Sequence, residues 1–184
     1  MASQDIIYDW NVKTGKVVRD EEALKKMLGY QLKDIDSVRD LWKNLIHVDD
    51  YRRVYDHLKQ SLDNKLDQYY KVEYKLRKAD GSQAHVIDKG YIIRNNQGEA
   101  VRVVGALSDI SASRVREQQL NLINGIKTEL SAPGDIQKCL ARAVKTLGKK
   151  ANLAMAEAWL ISVDKRALNL IELLLMRSGA AGVR

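Results

Sequence analysis

The chain comprises 184 residues, 45% of them hydrophobic and 30% charged, with one proline and one cysteine; this composition fits one well-packed domain with an appendage, or two small domains, and excludes a disordered or fibrous chain. Cys139 alone cannot form an internal disulfide, a cysteine-rich zinc site or a redox pair. No segment reaches the roughly 20 apolar residues that span a bilayer, and residues 1–9 lack the pattern of a signal peptide, so we expect a cytoplasmic protein without a membrane partner.

The formal net charge of +7 is unevenly distributed along the chain. Residues 1–110 carry 19 Lys and Arg against 18 Asp and Glu, whereas residues 111–184 carry 12 against 6. Basic helices of this kind can bind nucleic acid, but a solvated helix face explains the same charges. Nucleic-acid binding through Arg142, Lys145 and Lys149 is therefore the alternative function.

The chain begins with a predicted hairpin. Asp5–Trp10 and Lys16–Arg19 are short strand candidates, and Asn11 and Gly15 between them favour a tight turn. The carboxylates of residues 20–22 favour a helix start, and apolar residues continue at helical spacing until Gly29. An edge hairpin followed by a short helix is expected.

A second helical region follows. Ser37 can cap a further turn, and the carboxylates of Asp49–Asp50 can cap the longest helix of the first half. One face of that helix is apolar and aromatic, formed by Tyr51, Val54, Tyr55, Leu58 and Leu62.

Residues 70–111 have the pattern of three consecutive antiparallel strands. In the first of them, Tyr70, Val72, Tyr74 and Leu76 alternate with charged residues, as expected of a sheet with one face in solvent. Ala84–Arg94 and Val101–Ile110 supply two more strands, joined by turns at residues 79–81 and 95–98. The sequence thus predicts an α+β fold with a five-stranded antiparallel sheet and short helices on one face, followed by C-terminal helices.

The C-terminal part is predicted to be mainly helical. Residues 112–132 form a linker helix whose apolar positions have the spacing of a two-stranded seam, although packing back on the sheet is the alternative; these positions are Val115, Leu122, Ile123, Ile126 and Leu130. Ser131–Gly134 ends this helix, and Asp135 can cap a second amphipathic helix. A strand-like Ala158–Val163 follows, and residues 176–184 are expected to be an unstructured tail.

Five motifs in this order resemble a PAS domain over residues 5–111. They are Trp10 to Gly15; Leu28-Gly29-Tyr30; Leu41-Trp42 with His47-Val48-Asp49-Asp50, where valine replaces the proline of the family; Gly90 to Arg94; and Gly105 with Asp109-Ile110-Ser111. The resemblance implies a sensory module that relays signals to an output domain of the same polypeptide, either a histidine kinase or a cyclic-dinucleotide enzyme. Residues 135–175 are similar to the opening of a GAF domain, which implies that the chain is part of a longer protein.

Aromatic residues are the candidates for a ligand pocket, because ligands of PAS domains usually lie between the sheet and the helices. These candidates are Trp10, Trp42, Tyr55, Tyr70 and Tyr74, although an ordinary core explains them as well. His57 lies where haem-bearing members of the family place an iron ligand, but its polar neighbours favour a non-ligand role. No cofactor is expected; haem or a small metabolite is the alternative. Flavin photochemistry is excluded, because the only cysteine lies beyond the domain.

The exit from the last strand is the candidate signal relay. Asp109 or Ser111 can accept hydrogen bonds from the first amides of the following helix, while Ile110 stays anchored in the sheet. A passive cap and spacer is the alternative. The motifs supply no catalytic residues and no metal-ligand set. We therefore expect a non-enzymatic module that forms a homodimer through the exit helix.

Overall fold

The computed structural model describes residues 5–31, 38–151, 153, 155–161 and 168–175. The chain divides into two compact units, Met1–Ser113 and Arg114–Arg184. Across the described ranges, no helix is both long enough and apolar enough to span a membrane.

The first unit contains a single sheet with the strand order β2-β1-β5-β4-β3, in which every neighbouring pair is antiparallel. The predicted order of two strands, helices and three strands is confirmed. The elements are β1 (Ile6–Asn11), β2 (Val17–Arg19), α1 (Glu21–Leu28), α2 (Val38–Leu45), α3 (Val48–Asp63), β3 (Tyr69–Arg77), β4 (Gln83–Arg94) and β5 (Ala100–Asp109).

The core lies on one face of this sheet, as the alternating pattern of β3 predicts. Every second residue of β3 from Tyr70 to Leu76 is buried, while the residues between them are half-buried or exposed. The largest fully buried side chains come from the sheet and from α1: Ile6, Leu24, Leu28, Leu76, Leu107, Val86 and Val103. The helices therefore cover the inner face of the sheet and leave the other face to solvent.

The helix termini follow the sequence signals with one correction. The Asp20 carboxylate caps α1 by accepting from the backbone N–H of Ala23 at 2.9 Å, and Gly29 ends this helix with φ 80°. At α3 the N-cap is His47, whose Nδ1 accepts from the N–H of Asp49 at 3.3 Å. The predicted cap Asp50 instead accepts from the N–H of Lys75 at 3.0 Å, because the side chain reaches the neighbouring strand β3. Ser37, the predicted cap of α2, lies outside the described residues.

Arg94 anchors the C-terminal end of α3 to the sheet. This end carries no basic residue of its own in its last turn, and the carbonyl groups at a helix C-terminus lack partners within the helix. The Arg94 guanidinium donates to five carbonyl oxygens at 2.7 to 3.2 Å, those of Ser61, Leu62, Asn64, Asp67 and Gly98. The last residue of the Gly90-to-Arg94 motif therefore holds the helix that bounds one side of the sheet.

Helix α4 (Ser111–Ser131) begins in the first unit and continues into the second, which also contains α5 (Ile136–Ala151), β6 (Met155–Ile161) and β7 (Leu168–Leu175). Helices α4 and α5 contact each other through Glu129, whose carboxylate lies 3.2 Å from Arg142 Nε. A Cβ atom at Gly125 would meet the flexible end of Lys150 and lie 3.3 Å from Cγ2 of Thr146, so Gly125 faces α5.

Strands β6 and β7 form an antiparallel hairpin against α5. The observed first strand is Met155–Ile161, three residues earlier than the predicted start at Ala158, and Val163 lies outside the described residues. A bulge between Ala158 and Trp159 shifts the register. The predicted tail at residues 176–184 also lies outside the described residues.

Candidate functional site

A cavity of about 500 Å³ lies between the inner face of the sheet and helices α2 and α3. Five of the six residues predicted for a ligand pocket line it: Trp10, Trp42, Tyr55, Tyr70 and Tyr74. Tyr55 is 55% exposed and stacks on Tyr51 with ring centroids 6.2 Å apart, so this pair stands near solvent. The cavity thus has aromatic walls and an aromatic pair from α3 at its side.

His57, the sixth predicted residue, is not among the described residues that line the cavity. Val54, Tyr55 and Leu58 of α3 line the cavity, and the helical rotation of about 100° per residue places His57 on the flank of their face. Its Nε2 is buried and has no hydrogen-bond partner within the described ranges. The position of His57 therefore does not fit a haem ligand in this cavity.

The floor of the cavity contains a buried carboxylate, Asp88 of β4, which is 7% exposed. Three tyrosine hydroxyls surround it. Tyr8 donates to Oδ1 at 2.7 Å, Tyr74 donates to Oδ2 at 3.0 Å, and Tyr70 lies 3.4 Å from Oδ1. The hydroxyls of Tyr8 and Tyr70 also contact each other. Both carboxylate oxygens are therefore satisfied by protein donors.

Two glycines make room for two of these tyrosine rings. A Cβ atom at Gly90 would overlap the Tyr70 ring and lie 2.8 Å from Cγ1 of Val103. A Cβ atom at Gly105 would overlap the hydroxyl end of Tyr8. Such contacts are closer than packed carbon atoms allow. These two glycines of the family motifs thus permit the tyrosines to lie flat on the sheet and reach Asp88.

Burial dominates the electrostatics of the floor. It raises the pKa of Asp88 to about 6, although the hydrogen bonds from the three tyrosines and the charge of Arg19 act in the opposite direction. Burial, reinforced by the negative charge of Asp88, also raises the pKa of Tyr8, Tyr70 and Tyr74 above their usual range. The tyrosines therefore remain protonated donors, while the carboxyl group of Asp88 titrates close to neutral pH.

Arg19, the last residue of β2, brings a cation to the same floor. Its guanidinium carbon lies 4.8 Å from the ring centroid of Trp42, a geometry typical of a cation–π contact. The indole N–H of Trp42 in turn donates to the Tyr74 hydroxyl at 3.0 Å. Burial lowers the pKa of Arg19, but an arginine keeps its charge in proteins. A carboxylate and a guanidinium thus share one end of an aromatic cavity.

The sequence reasoning missed Tyr8, Arg19 and Asp88. A signal for Asp88 was present, because alternation along β4 places it in the inward register between Val86 and Gly90. Composition and alternation by themselves predict only a strand rich in valine and isoleucine there. No comparable signal marked Arg19, because a strand of three residues does not define which face its last side chain occupies.

The start of α4 is tied to β4 by several hydrogen bonds. The Asp109 carboxylate accepts from the N–H of Ser111 at 2.8 Å and lies 3.4 Å from the Lys78 ammonium. The Ser111 hydroxyl accepts from the N–H of His85 at 2.9 Å, and the N–H of Ile110 donates to the His85 carbonyl at 2.8 Å. Asp109 thus binds an amide of the helix, whereas Ser111 binds the neighbouring strand.

No described side chain of α4 is fully buried. Val115, Ile123 and Leu130 of the predicted seam are exposed, while Leu122 and Ile126 are half-buried. On α5, two of the basic side chains contact α4: Arg142 pairs with Glu129, and the Lys150 ammonium lies 3.4 Å from the carbonyl oxygen of Asn121. These two cations therefore contribute to packing between the helices, which weakens the case for a basic face that binds nucleic acid.

The helix-covered antiparallel sheet with a cavity on its inner face defines a small α+β domain. Residues 17–107 match the family described as PAS fold. This segment of the chain is therefore a PAS domain, which is a sensory module. The predicted resemblance is confirmed for the PAS domain, and the match does not extend to the GAF-like segment.

Three relatives place the domain among signalling proteins. A methyl sulfide methyltransferase-associated sensor of Methanosarcina acetivorans is 24% identical over 135 residues, which are 73% of this chain and 13% of that protein. The chain thus spans only a small part of this relative's length. A sensory box histidine kinase/response regulator of Burkholderia thailandensis is 29% identical with a TM-score of 0.54, covering 66% of this chain and 88% of that structure. A domain of a putative light and redox sensing histidine kinase of Haloarcula marismortui is 26% identical with a TM-score of 0.51, covering 60% of this chain and 92% of that structure.

The raised pKa of Asp88 predicts how the stability of the domain depends on pH. Because the folded state holds this proton more tightly than the unfolded chain, the contribution is fully present below the ordinary pKa of 3.8 and is lost as the pH rises through about 6. As the pH rises from 4 to 7, we expect this loss to lower the free energy of unfolding by about 2 kcal/mol, since part of the titration of the unfolded chain occurs below pH 4. Urea denaturation of the wild type and Asp88→Asn across this range measures the contribution as the difference between the two curves.

Asp109→Asn is the control for that measurement, since it changes a carboxylate outside the cavity. The difference in the free energy of unfolding between the wild type and Asp88→Asn should change with pH, because the contribution of Asp88 is lost as the pH rises. A difference that stays constant from pH 4 to pH 7 contradicts a tightly held proton on Asp88.

Proposed function

We propose that this chain is the sensory part of a longer signal-transduction protein, in which a change in the cavity or in the dimer is relayed through α4 to a downstream output domain. The observation that carries the proposal is the position of His85. This residue bonds Ile110 and Ser111 through both its backbone groups, and β4 continues from it to Asp88 on the cavity floor. One strand therefore connects the cavity with the first turn of α4.

Such a connection can transmit small displacements. Lys78 and Asp109 add an ion pair, half-buried on both sides, across the same junction, and a packed sheet resists local deformation. A shift of β4 would change the direction in which α4 leaves the sheet. Changes of this kind at helix junctions are one way in which sensor domains control distant partners.

The output domain is most simply a histidine kinase. Support comes from the two similar solved structures, since both belong to proteins described as histidine kinases. A cyclic-dinucleotide enzyme is the second choice. Residues 135–175 are proposed as the opening of a GAF-like domain between sensor and output, consistent with a helix followed by a hairpin.

Homodimerisation through α4 is part of the proposal. Helix α4 has no fully buried side chain among its described residues, and its seam residues Val115 and Ile123 are 53% and 48% exposed. The helix therefore gains stability if a second copy covers this apolar seam. The seam is interrupted at Gly125, which lies against α5. The dimer contact would thus be strongest on either side of this glycine.

The relay predicts that a change in the cavity reaches α4 and that Ser111 transmits it. Asp88→Asn should alter the amide hydrogen exchange of residues 110–116, because the altered floor shifts β4 at His85. Adding Ser111→Ala removes one hydrogen bond between α4 and β4, which costs on the order of 1 kcal/mol. The change in hydrogen exchange that Asp88→Asn causes at residues 110–116 should then fall at least about threefold. Hydrogen exchange of the whole chain, read by mass spectrometry, measures both effects.

Ser113→Ala is the matched control, because Ser113 is an exposed serine two residues further along α4. In this background Asp88→Asn should produce its full effect on α4. The relay is wrong if Asp88→Asn leaves the exchange of residues 110–116 unchanged, or if both serine variants reduce the response equally.

The proposed dimer predicts an association that depends on concentration and is sensitive to charge on the seam. Ile126→Asp places a carboxylate within the apolar seam and should shift the protein to monomer in sedimentation-velocity measurements. Asn124→Asp adds the same charge about 200° around the helix and should leave the association unchanged. A wild-type monomer at high concentration, unaffected by Ile126→Asp, rules out this interface.

A further inference from the structure

Arg19 presents an unused hydrogen-bond donor beside the cavity. It is one of the residues that line the cavity, and its Nη1 atom is fully buried without an acceptor in the described part of the chain. Buried guanidinium groups in proteins are normally satisfied by an acceptor. No described residue supplies an acceptor here, and Arg19 borders a cavity of about 500 Å³ from which a ligand can supply one.

The neighbouring polar groups leave this donor available. The protons of Tyr8 and Tyr74 are used on the Asp88 carboxylate, and Tyr70 contacts both this carboxylate and Tyr8. The Trp42 indole N–H is used on the Tyr74 hydroxyl. Tyrosine and indole groups each donate a single hydrogen bond. Arg19 is therefore the donor of this cluster that can bind an incoming group.

The walls of the cavity favour a flat apolar body. Trp10, Trp42, Tyr51 and Tyr55 line it, and aromatic side chains pack well against aromatic rings. The volume of about 500 Å³ lies within the range of roughly 300–1,000 Å³ typical of small-molecule sites. A single-ring or double-ring molecule fits this space better than an extended polar chain.

We infer that the cavity binds a small aromatic monocarboxylate, whose carboxylate accepts a hydrogen bond from Arg19 and whose ring packs between the aromatic side chains of β1, α2 and α3. The inference rests on the proposed sensory function of the same cavity. Guanidinium groups bind carboxylates particularly well, because charge strengthens the hydrogen bond and the planar geometries match.

The charge balance of the floor selects a monoanion. Asp88 and Arg19 carry opposite charges when both are ionised. A bound carboxylate adds one negative charge, which the negative charge of Asp88 repels. Proton uptake by Asp88, whose pKa is already raised to about 6, relieves this repulsion. A phosphate dianion would add two charges against a single guanidinium. The exposed Lys43 on the cavity lining can attract an anion before it enters.

Titration calorimetry with phenylacetate, phenylacetamide and phenyl phosphate as probes tests the inference on the intact chain. Phenylacetamide has the same ring and nearly the same shape as phenylacetate but no charge. The wild type should bind phenylacetate at least about tenfold more tightly than the amide or the phosphate, because the amide lacks the ionic hydrogen bond. Arg19→Met should remove this preference for the anion while it retains affinity for the amide.

Arg102→Met is the matched control, because Arg102 pairs with Asp9 away from the cavity. It should retain the wild-type preference. Equal affinity for phenylacetate and phenylacetamide, tighter binding of phenyl phosphate, no binding of any probe, or a preference that persists in Arg19→Met each overturns the inference. Should Arg19→Met not fold, the comparison of probes on the wild type still decides it. The hydrogen-exchange test of the relay uses no ligand, so failure of one proposal is distinguishable from failure of the other.

Discussion

A carboxylate buried on the apolar face of a sheet imposes conditions on everything around it. Asp88 is held among three tyrosine hydroxyls and near a guanidinium, since an unpartnered buried charge costs far more than folding can supply. Two tyrosines reach it only because Gly90 and Gly105 carry no side chain. The small residues of the sheet, the tyrosines and the charge on the floor thus form one arrangement, in which removing any part leaves a buried polar group without its partner.

The same strand that carries this carboxylate also holds the exit helix. Two residues lie between Asp88 and His85, whose backbone groups bond Ile110 and Ser111 at the start of α4. Arg94 at the other end of β4 holds the carbonyl groups of α3, the helix that contributes Tyr55 to the cavity wall. Strand β4 therefore contributes to the cavity floor and contacts both α3 and α4. This continuity supports the proposed relay, because a change at the floor has a short covalent and hydrogen-bonded route to α4.

The sequence predicted the sheet well and the cavity only in part. Alternation in β3 and the glycine turns are local signals, so strand order and the buried face could be predicted. The aromatic walls followed from the same face assignments. The floor did not, because the partners of Asp88 come from β1 and β3, as far as 80 residues away in the chain, and a single strand pattern does not identify them. The family resemblance predicts His57 as a pocket residue from its position on the long helix, whereas the rotation of about 100° per residue places it on the flank of the face that lines the cavity.

The central claim is that tyrosine hydroxyls hold the buried Asp88 in its ionised form near neutral pH. Tyr74→Phe removes one donor with almost no change in shape, so it should raise the pKa of Asp88 above about 6. An isotope-edited infrared titration of the aspartate carboxyl groups, with Asp88→Asn to assign the band, measures this directly. Tyr91→Phe, which alters an exposed tyrosine of β4, should leave the titration unchanged. An Asp88 band that titrates identically in the wild type and in Tyr74→Phe contradicts the account.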